Sequence, residues 1–144
     1  MIRRATKYDK AQIIDMMQQF RKECDIPQYR DLDNAEYWNK MLDNILAGQG
    51  VVYLDDGIGL IIGIVLPTIW CDKTFALHEL AWWVHPNKRN TTVGYKLLKA
   101  YIQYGKQQKG NGRIKMFTVS KMMTSPDLNY ERFGFTKLDE NWIQ

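Results

Sequence analysis

The residues whose types and spacing suit chemistry gather between Leu80 and Leu98. An apolar stretch ends at Val84-His85-Pro86. A polar loop follows, with Lys88, Arg89, Asn90, Thr91 and Thr92, and a helical pattern opens at Val93 and Gly94. A strand that passes through a polar loop into a helix start presents unsatisfied backbone N–H groups at the positive end of the helix dipole. Such a turn binds phosphate. Gly94 has no side chain to hold a phosphate off the backbone, and Lys88 and Arg89 add charge-assisted hydrogen bonds. Alone, the turn is generic. The run from Lys88 to Lys109 also holds Lys96, Lys99 and Lys106 with no acid. A solvated helix face explains that charge as well as a polyanionic ligand does.

The elements that must position this turn are legible as periodicities. Ile2 to Arg4 reads as a short strand. Thr6, with Asp9 three residues on, reads as a capping box, and Ile13, Met17, Phe20 and Cys24 then recur at helical spacing. After a loop through Pro27, Asp33 and Glu36 mark a second helix start. That helix has apolar rows at Tyr37, Met41 and Ile45 and at Trp38, Leu42 and Leu46, and ends at Gly48 and Gly50. Strands follow at Val51–Asp55, Ile58–Ile69 and Phe75–Val84, the first two joined by the turn signal Asp56-Gly57. A helix runs from Val93 to about Gln108. Ile114–Ser120 is a strand, Pro126 to Arg132 a short helix, and Phe135–Leu138 a last strand. The order implies an α/β (α+β) fold, with a mixed, mostly antiparallel sheet and helices on both faces.

The chain has 144 residues and a net charge of +4, which suits one domain over 1–144. That charge is too mild to argue for DNA. The basic run has no interleaved stacking aromatics, so no nucleic-acid partner is expected. The longest apolar stretch, Ile58 to Leu66, falls far short of the roughly 20 residues that span a bilayer. Met1-Ile2-Arg3-Arg4 leads into Lys7, Asp9 and Lys10 rather than an apolar core, so neither a signal peptide nor a membrane partner is expected, and the location reads as cytoplasmic. Cys24 and Cys71 read as free buried thiols of a reducing compartment. With His78 and His85 they make no metal spacing, and no metal is expected.

Two segments resemble the GNAT (GCN5-related) N-acetyltransferases. Val84-His85-Pro86 followed by Arg89-Asn90-Thr91-Thr92-Val93-Gly94 is similar to the family's Val-x-Pro and Arg/Gln-x-x-Gly-x-Gly/Ala. Thr92 stands at the first family glycine. Tyr130-Glu131-Arg132-Phe133-Gly134-Phe135 is similar to its Tyr-Glu-Lys-Leu-Gly-Phe, and Ile2-Arg3-Arg4-Ala5-Thr6 to its N-terminus. The two main motifs lie in family order, about 40 residues apart, as a βαβ crossover allows. The resemblance covers the whole chain and implies a GNAT-like fold with a central sheet of six to seven strands.

It further implies acetyl-CoA as co-substrate, with transfer of its acetyl group to a primary amine of a small molecule or protein by direct attack. Main-chain groups of Trp83 and Val84 would hold the pantetheine arm, and Arg89, Asn90, Thr91, Thr92, Val93 and Gly94 the pyrophosphate. At Thr92 a β-branched residue resists positive φ and narrows the approach, or else offers its hydroxyl. Ser120 to Asp127 departs from the family, which often has an asparagine near Met123; Ser125 or Asn129 would substitute for it, and Asn129 is counted among the coenzyme A contacts. An attacking alkyl amine has a pKa of about 10.4 and needs a base. Glu79 matches a common family base, against the plain reading of a carboxylate on a strand face. His78 is the other candidate, on the opposite face of the strand. Tyr130 matches the tyrosine credited with protonating the leaving thiolate, and a backbone N–H near Val84 would hold the oxyanion. Trp38, Trp70, Trp82, Trp83 and Trp142 line the acceptor side or, for most of them, the core. Asp31, Asp33 and Glu36 attract a cationic acceptor or simply solvate a loop. A second reading stays open: a catalytically weakened domain that binds coenzyme A or a protein partner. Oligomeric state, a homodimer included, is not readable.

Overall fold

The structure is a computed structural model and describes residues 1–122, 125 and 128–144. Strand β1 (Arg3–Arg4) leads through the Thr6–Asp9 capping box and the 3-10 turn Lys7–Asp9 into α1 (Lys10–Glu23). Helix α2 (Ala35–Asn44) starts one residue later than expected. Asn34 caps it, accepting from the Tyr37 N–H at 3.0 Å. The helix unwinds through a π turn, Ile45–Gln49, at Gly48. Strands β2 (Gly50–Asp55), β3 (Gly59–Thr68) and β4 (Cys71–Val84) form two successive hairpins. Helix α3 (Val93–Gly110) crosses over to β5 (Met116–Thr118). The sheet order is β1-β2-β3-β4-β5, antiparallel except for the parallel pair β4–β5.

Alternation in the strands supplies one core to each face of the sheet. Val52, Leu54, Leu60 and Ile62 pack against Ile13 of α1 and Leu42 of α2. Val51, Ile61 and Leu77 pack against Leu97, Leu98 and Tyr101 of α3. Burial rather than propensity holds α3. Gly94, Gly105 and Gly110 each cost a helix about 1 kcal/mol relative to alanine, whereas Leu97, Leu98, Tyr101 and Ile102 are buried, each contributing roughly 1.5–3 kcal/mol. Gly105 is there for proximity, because a Cβ on it would stand 2.6 Å from the Phe117 ring of β5.

Several expectations are corrected. Among the described residues the sheet has five strands rather than six to seven. Strand β5 is shorter than Ile114–Ser120, and residues 135–138 form no strand. After Phe135 the only large apolar residue before Trp142 is Leu138, itself exposed, so no alternating face exists to bury. Lys137 pairs locally with Glu140 instead. A 3-10 turn, Tyr130–Phe133, stands where a helix from Pro126 was expected. Met123, Thr124, Pro126 and Asp127 lie outside the described residues, and with them that helix start and the Met123 position. Cys24 is half-buried and Cys71 exposed, so the thiols are free but not both buried. Trp70 and Trp142 are exposed; Trp83 is core, and Trp38 and Trp82 pack on its margins.

A buried carboxylate ties the N-terminal elements together. Asp9 accepts from Arg3 at 2.7 and 2.9 Å, from the Thr6 N–H at 2.8 Å and from Gln12 at 3.0 Å. Arg3 and Gln12 also reach Asp56 in the β2–β3 turn, at 2.6 and 2.9 Å. The guanidinium of Arg3 holds the Asp9 carboxyl well below the usual carboxylate range, against the opposing effect of burial. A depressed carboxylate stabilises the fold above its unfolded pKa and loses that contribution as pH falls through the folded one. Asp9→Asn should therefore lower stability by about 1–2 kcal/mol at pH 7, and the gap to wild type should begin to narrow below pH 4. Urea unfolding at pH 7 and pH 3 measures both.

Candidate active site

Strand β4 is paired on both edges only from Ala76 to His78, where Met116 to Thr118 of β5 lie alongside. Among the described residues it is paired by β3 alone from Glu79 to Val84, so β4 and β5 part after that rung and leave an open edge. Backbone groups of successive residues face alternate edges. The Trp83 carbonyl is turned to β3, 2.8 Å from where a Cβ on Gly59 would stand. The His85 N–H likewise donates across to Ile58, at 2.7 Å. Trp82 and Val84 therefore face the opening. Of the two main chains expected to hold the pantetheine arm, that of Val84 lies on the open edge and that of Trp83 belongs to the sheet; Trp82 is the other residue on the open edge. The Val84 carbonyl accepts from Arg89 Nε at 2.9 Å, which leaves its N–H as the donor there.

The loop after β4 turns through Pro86–Lys88 into α3. Thr91 is used internally: its hydroxyl donates to the Lys88 carbonyl at 2.6 Å and accepts from the Val93 N–H at 3.4 Å. Thr92 is the N-cap, but its side chain makes no capping hydrogen bond. Among the described residues, the N–H groups of Asn90, Thr92, Gly94 and Tyr95 find no partner. The helix start is thus left unsatisfied where a capping threonine would ordinarily close it. Thr92 has φ −86° and ψ 4°, so this position needs no positive φ and a β-branched residue sits there without strain. Arg89 does not aim at the loop's interior. Its guanidinium pairs with Glu23 at the end of α1, which also accepts from Trp83 Nε1 at 3.3 Å. Arg89 braces the loop against β4 and α1. Nothing in the sequence marked Glu23 for that role, since it lies 66 residues away.

Glu79 owes its place to a bulge. Ile62 pairs with Ala81 and Gly63 with Glu79, so Leu80 is an extra residue. The insertion flips the strand's faces. Ala81 and Trp83 belong to the α1/α2 side, whereas Leu77 and Val84 belong to the α3 side. Glu79, paired with Gly63, joins the α3 side beside Tyr101, the same side as Gly94, whose Cα faces Val84 and Trp82. Burial pushes the Glu79 carboxyl up to about 7, with the Ser120 N–H acting weakly the other way. His78 lies on the other face, its Nδ1 3.1 Å from Thr118 Oγ1.

The Tyr130 turn bridges α3 and β5. Phe133 packs on Tyr95 with ring centroids 5.9 Å apart, and Phe135 on Phe117 at 5.6 Å. Gly134, at φ 91°, ends the turn. The Tyr130 hydroxyl oxygen is shielded from solvent. Asn129 caps the turn, its side chain accepting from the Arg132 N–H at 3.3 Å, while Ser125 Oγ accepts from the Met122 N–H at 3.1 Å. Both side chains therefore serve local structure. Asp31, Asp33 and Glu36 are exposed.

A parallel pair that parts beside an open helix start can be compared with known proteins. Residues 10–135 match the Acetyltransferase (GNAT) family. The chain belongs to that family. It is therefore an acyltransferase whose co-substrate is acetyl-CoA. A similar solved structure is a predicted acetyltransferase from Clostridium acetobutylicum with acetyl-CoA, at 16% identity and a TM-score of 0.74, covering 100% of this chain and 94% of that one. Another is an aminoglycoside acetyltransferase from an uncultured soil metagenomic sample in complex with sisomicin, at 15% identity, TM-score 0.63, and 100% and 92% coverage. A third is the ribosomal-protein-alanine N-acetyltransferase of Brucella melitensis biovar Abortus 2308, at 12% identity, TM-score 0.66, and 100% and 96% coverage. At these identities they show a shared fold. No curated protein matches the chain. Among the described residues no group of three or more His, Cys, Asp or Glu could hold a metal ion, and no helix is long and apolar enough to cross a membrane.

The residues of this GNAT chain fit the co-substrate. Unpartnered N–H groups at a helix start suit a pyrophosphate, and an unpaired strand edge suits an amide-bearing arm. A methyl on Gly94 would meet Val84 at 3.6 Å and Trp82 at 3.9 Å, which is ordinary contact. Gly94→Ala should thus fold as well as wild type or better by up to about 1 kcal/mol. By narrowing the space between α3 and β4 it should weaken coenzyme A binding about tenfold. Thermal unfolding and calorimetric titration check the two halves.

Proposed function

We propose that the protein is an N-acetyltransferase that transfers the acetyl group of acetyl-CoA to a primary amine in a ternary complex. The observation that carries this reading is Glu79: a half-buried carboxyl just past the last β4–β5 rung, on the face of the open helix start, poised near neutral pH. A base with a pKa near the working pH removes a proton most effectively. Bound acetyl-CoA supplies an acetyl group activated as a thioester. The N–H groups of Asn90, Thr92, Gly94 and Tyr95 hold the pyrophosphate, with the Thr92 hydroxyl as a further donor. The Val84 N–H holds the oxyanion, and Glu79 takes a proton from the acceptor's ammonium so that the free amine can attack. Tyr130 serves the leaving thiolate. A phenol near 10 donating to a thiolate near 8.5 goes uphill by about 2 kcal/mol, so Tyr130 acts by hydrogen bonding as much as by full transfer.

The acceptor is a small molecule or a protein amino group. The names of two structural neighbours, one for aminoglycosides and one for the alanine of a ribosomal protein, span that range. The exposed acids Asp31, Asp33 and Glu36 between α1 and α2 favour a cationic acceptor.

In wild type the rate should rise with pH through about 7, because the unprotonated carboxylate is the active form. Glu79→Gln should abolish that limb in a thiol-release assay against a panel of amines; an unchanged limb excludes Glu79 as the base. The same variant has a stability signature of defined sign. A carboxyl raised from 4.5 to about 7 on folding loses stability as pH rises across that window. Glu79→Gln should therefore be more stable than wild type at pH 8, by up to about 3 kcal/mol, and not below pH 4.5. Tyr130→Phe should slow turnover roughly tenfold to a hundredfold with coenzyme A affinity little changed; unchanged turnover removes its assignment.

A further inference from the structure

The carboxyl at the parting of the strands does not hold its own position. Directly beneath it α3 presents Tyr101, which is fully buried. The Tyr101 hydroxyl donates to the Thr118 carbonyl of β5 at 2.5 Å and stands 3.5 Å from the Leu77 carbonyl of β4. Thr118 belongs to the last β4–β5 rung, and Leu77 to the rung before it. Space for the ring is made in β3, opposite the bulge: a Cβ on Gly63 would lie 2.8 Å from Tyr101 Cε2 and 2.9 Å from Leu77 Cδ1. Phe117 fixes the ring from the side, edge-on at 6.2 Å. A hydroxyl so deeply packed needs a partner, and here the partner carbonyl sits where the ladder stops.

We propose that Tyr101 is a positioning residue: its hydroxyl pins β4 and β5 at their last rung and so sets where they part and how closely they enclose Glu79. This rests on the reading of Glu79 as the base, and it extends that reading to a residue no motif contains. Without the hydroxyl, the Thr118 carbonyl loses its bond, the strands part earlier and water reaches Glu79. Among the described residues, the groups bearing on that carboxyl are Tyr101 on α3 and the Ser120 N–H beyond β5, with no cation; His78 faces the other side. Its elevated pKa is therefore a gauge of how tightly the vertex is closed.

The test is carbon-13 NMR of protein labelled at the glutamate carboxyl carbon, with the Glu79 signal assigned by Glu79→Gln. In wild type the signal should titrate near 7. In Tyr101→Phe, which keeps the ring, the midpoint should fall by roughly one unit or more toward the ordinary glutamate value. In Tyr104→Phe, which removes a different α3 hydroxyl that accepts from Arg113 at 3.2 Å, it should stay put. An unmoved midpoint in Tyr101→Phe, or an equal shift in Tyr104→Phe, overturns the proposal. Should Tyr101→Phe not fold, the Tyr101 Cζ signal of the unaltered protein decides: it should shift with the Glu79 midpoint, and a flat response counts against the pin. Failure of the base reading is separate, since it shows as an unchanged pH–rate limb in Glu79→Gln whatever the NMR midpoint does.

Discussion

Pairing between β4 and β5 stops after His78 and Thr118, and the arrangement of the site follows from that stop. Backbone groups inside a protein seek partners. A strand that, among the described residues, has no partner on one edge from Glu79 to Val84, next to a helix start whose N–H groups likewise find none there, holds donors and acceptors ready for something else. The surrounding elements keep it so. Tyr101 bonds to the last rung, Phe117 and Phe135 meet edge to face beside it, and the Tyr130 turn joins β5 to the first turn of α3. Arg89 fastens the far end by joining the Val84 carbonyl to Glu23 of α1. The opening is thus framed by rigid elements at both ends.

Much of the frame was legible because local chemistry dictated it. The Thr6–Asp9 box, the Asp56-Gly57 turn and the apolar spacing of α3 are short-range signals, and each element forms where its signal lies. The strand-to-helix turn from Val84 to Gly94 was readable for the same reason. The bulge was not. Leu and Trp are tolerated on either face of a sheet with two cores, so the segment from Ala76 to Val84 carries no mark of the residue where the faces exchange. That exchange brings Glu79 to the α3 side and turns the Trp83 main chain toward β3. Arg89 illustrates another limit. Its charge suggested a phosphate ligand, but its partner is a carboxylate from a distant helix, and such pairings leave no trace in spacing. The failed strand after Phe135 shows a related weakness: a β-like tetrapeptide means little without a second apolar residue to face the core.

The state of Glu79 bears on how acceptor and base would meet. Burial raises its carboxyl, and among the described residues no neighbouring cation holds the charged form. With its carboxyl pushed up toward neutral pH, Glu79 adds less charge to a semi-enclosed cleft than an ordinary carboxylate would. An alkylammonium arriving there, as in the reaction proposed above, would supply the missing cation. Opposite charges within a few ångströms lower a carboxyl pKa and raise an amine pKa, and the two sites then titrate as a pair. The base would become ionised because its substrate is present. The proton it must then accept is harder to remove from the paired ammonium than from a free one. Part of that cost returns once the freed amine attacks, since bond formation at nitrogen makes its remaining protons far more acidic and draws the reaction forward. A carboxyl held near 7 by desolvation suits this sequence better than one held low by a permanent arginine partner. The latter would meet the ammonium already neutralised, with little tendency to take its proton. The lack of a cation beside Glu79 among the described residues, which looks like an unfinished salt bridge, is what would let it act as the base of the reaction proposed above.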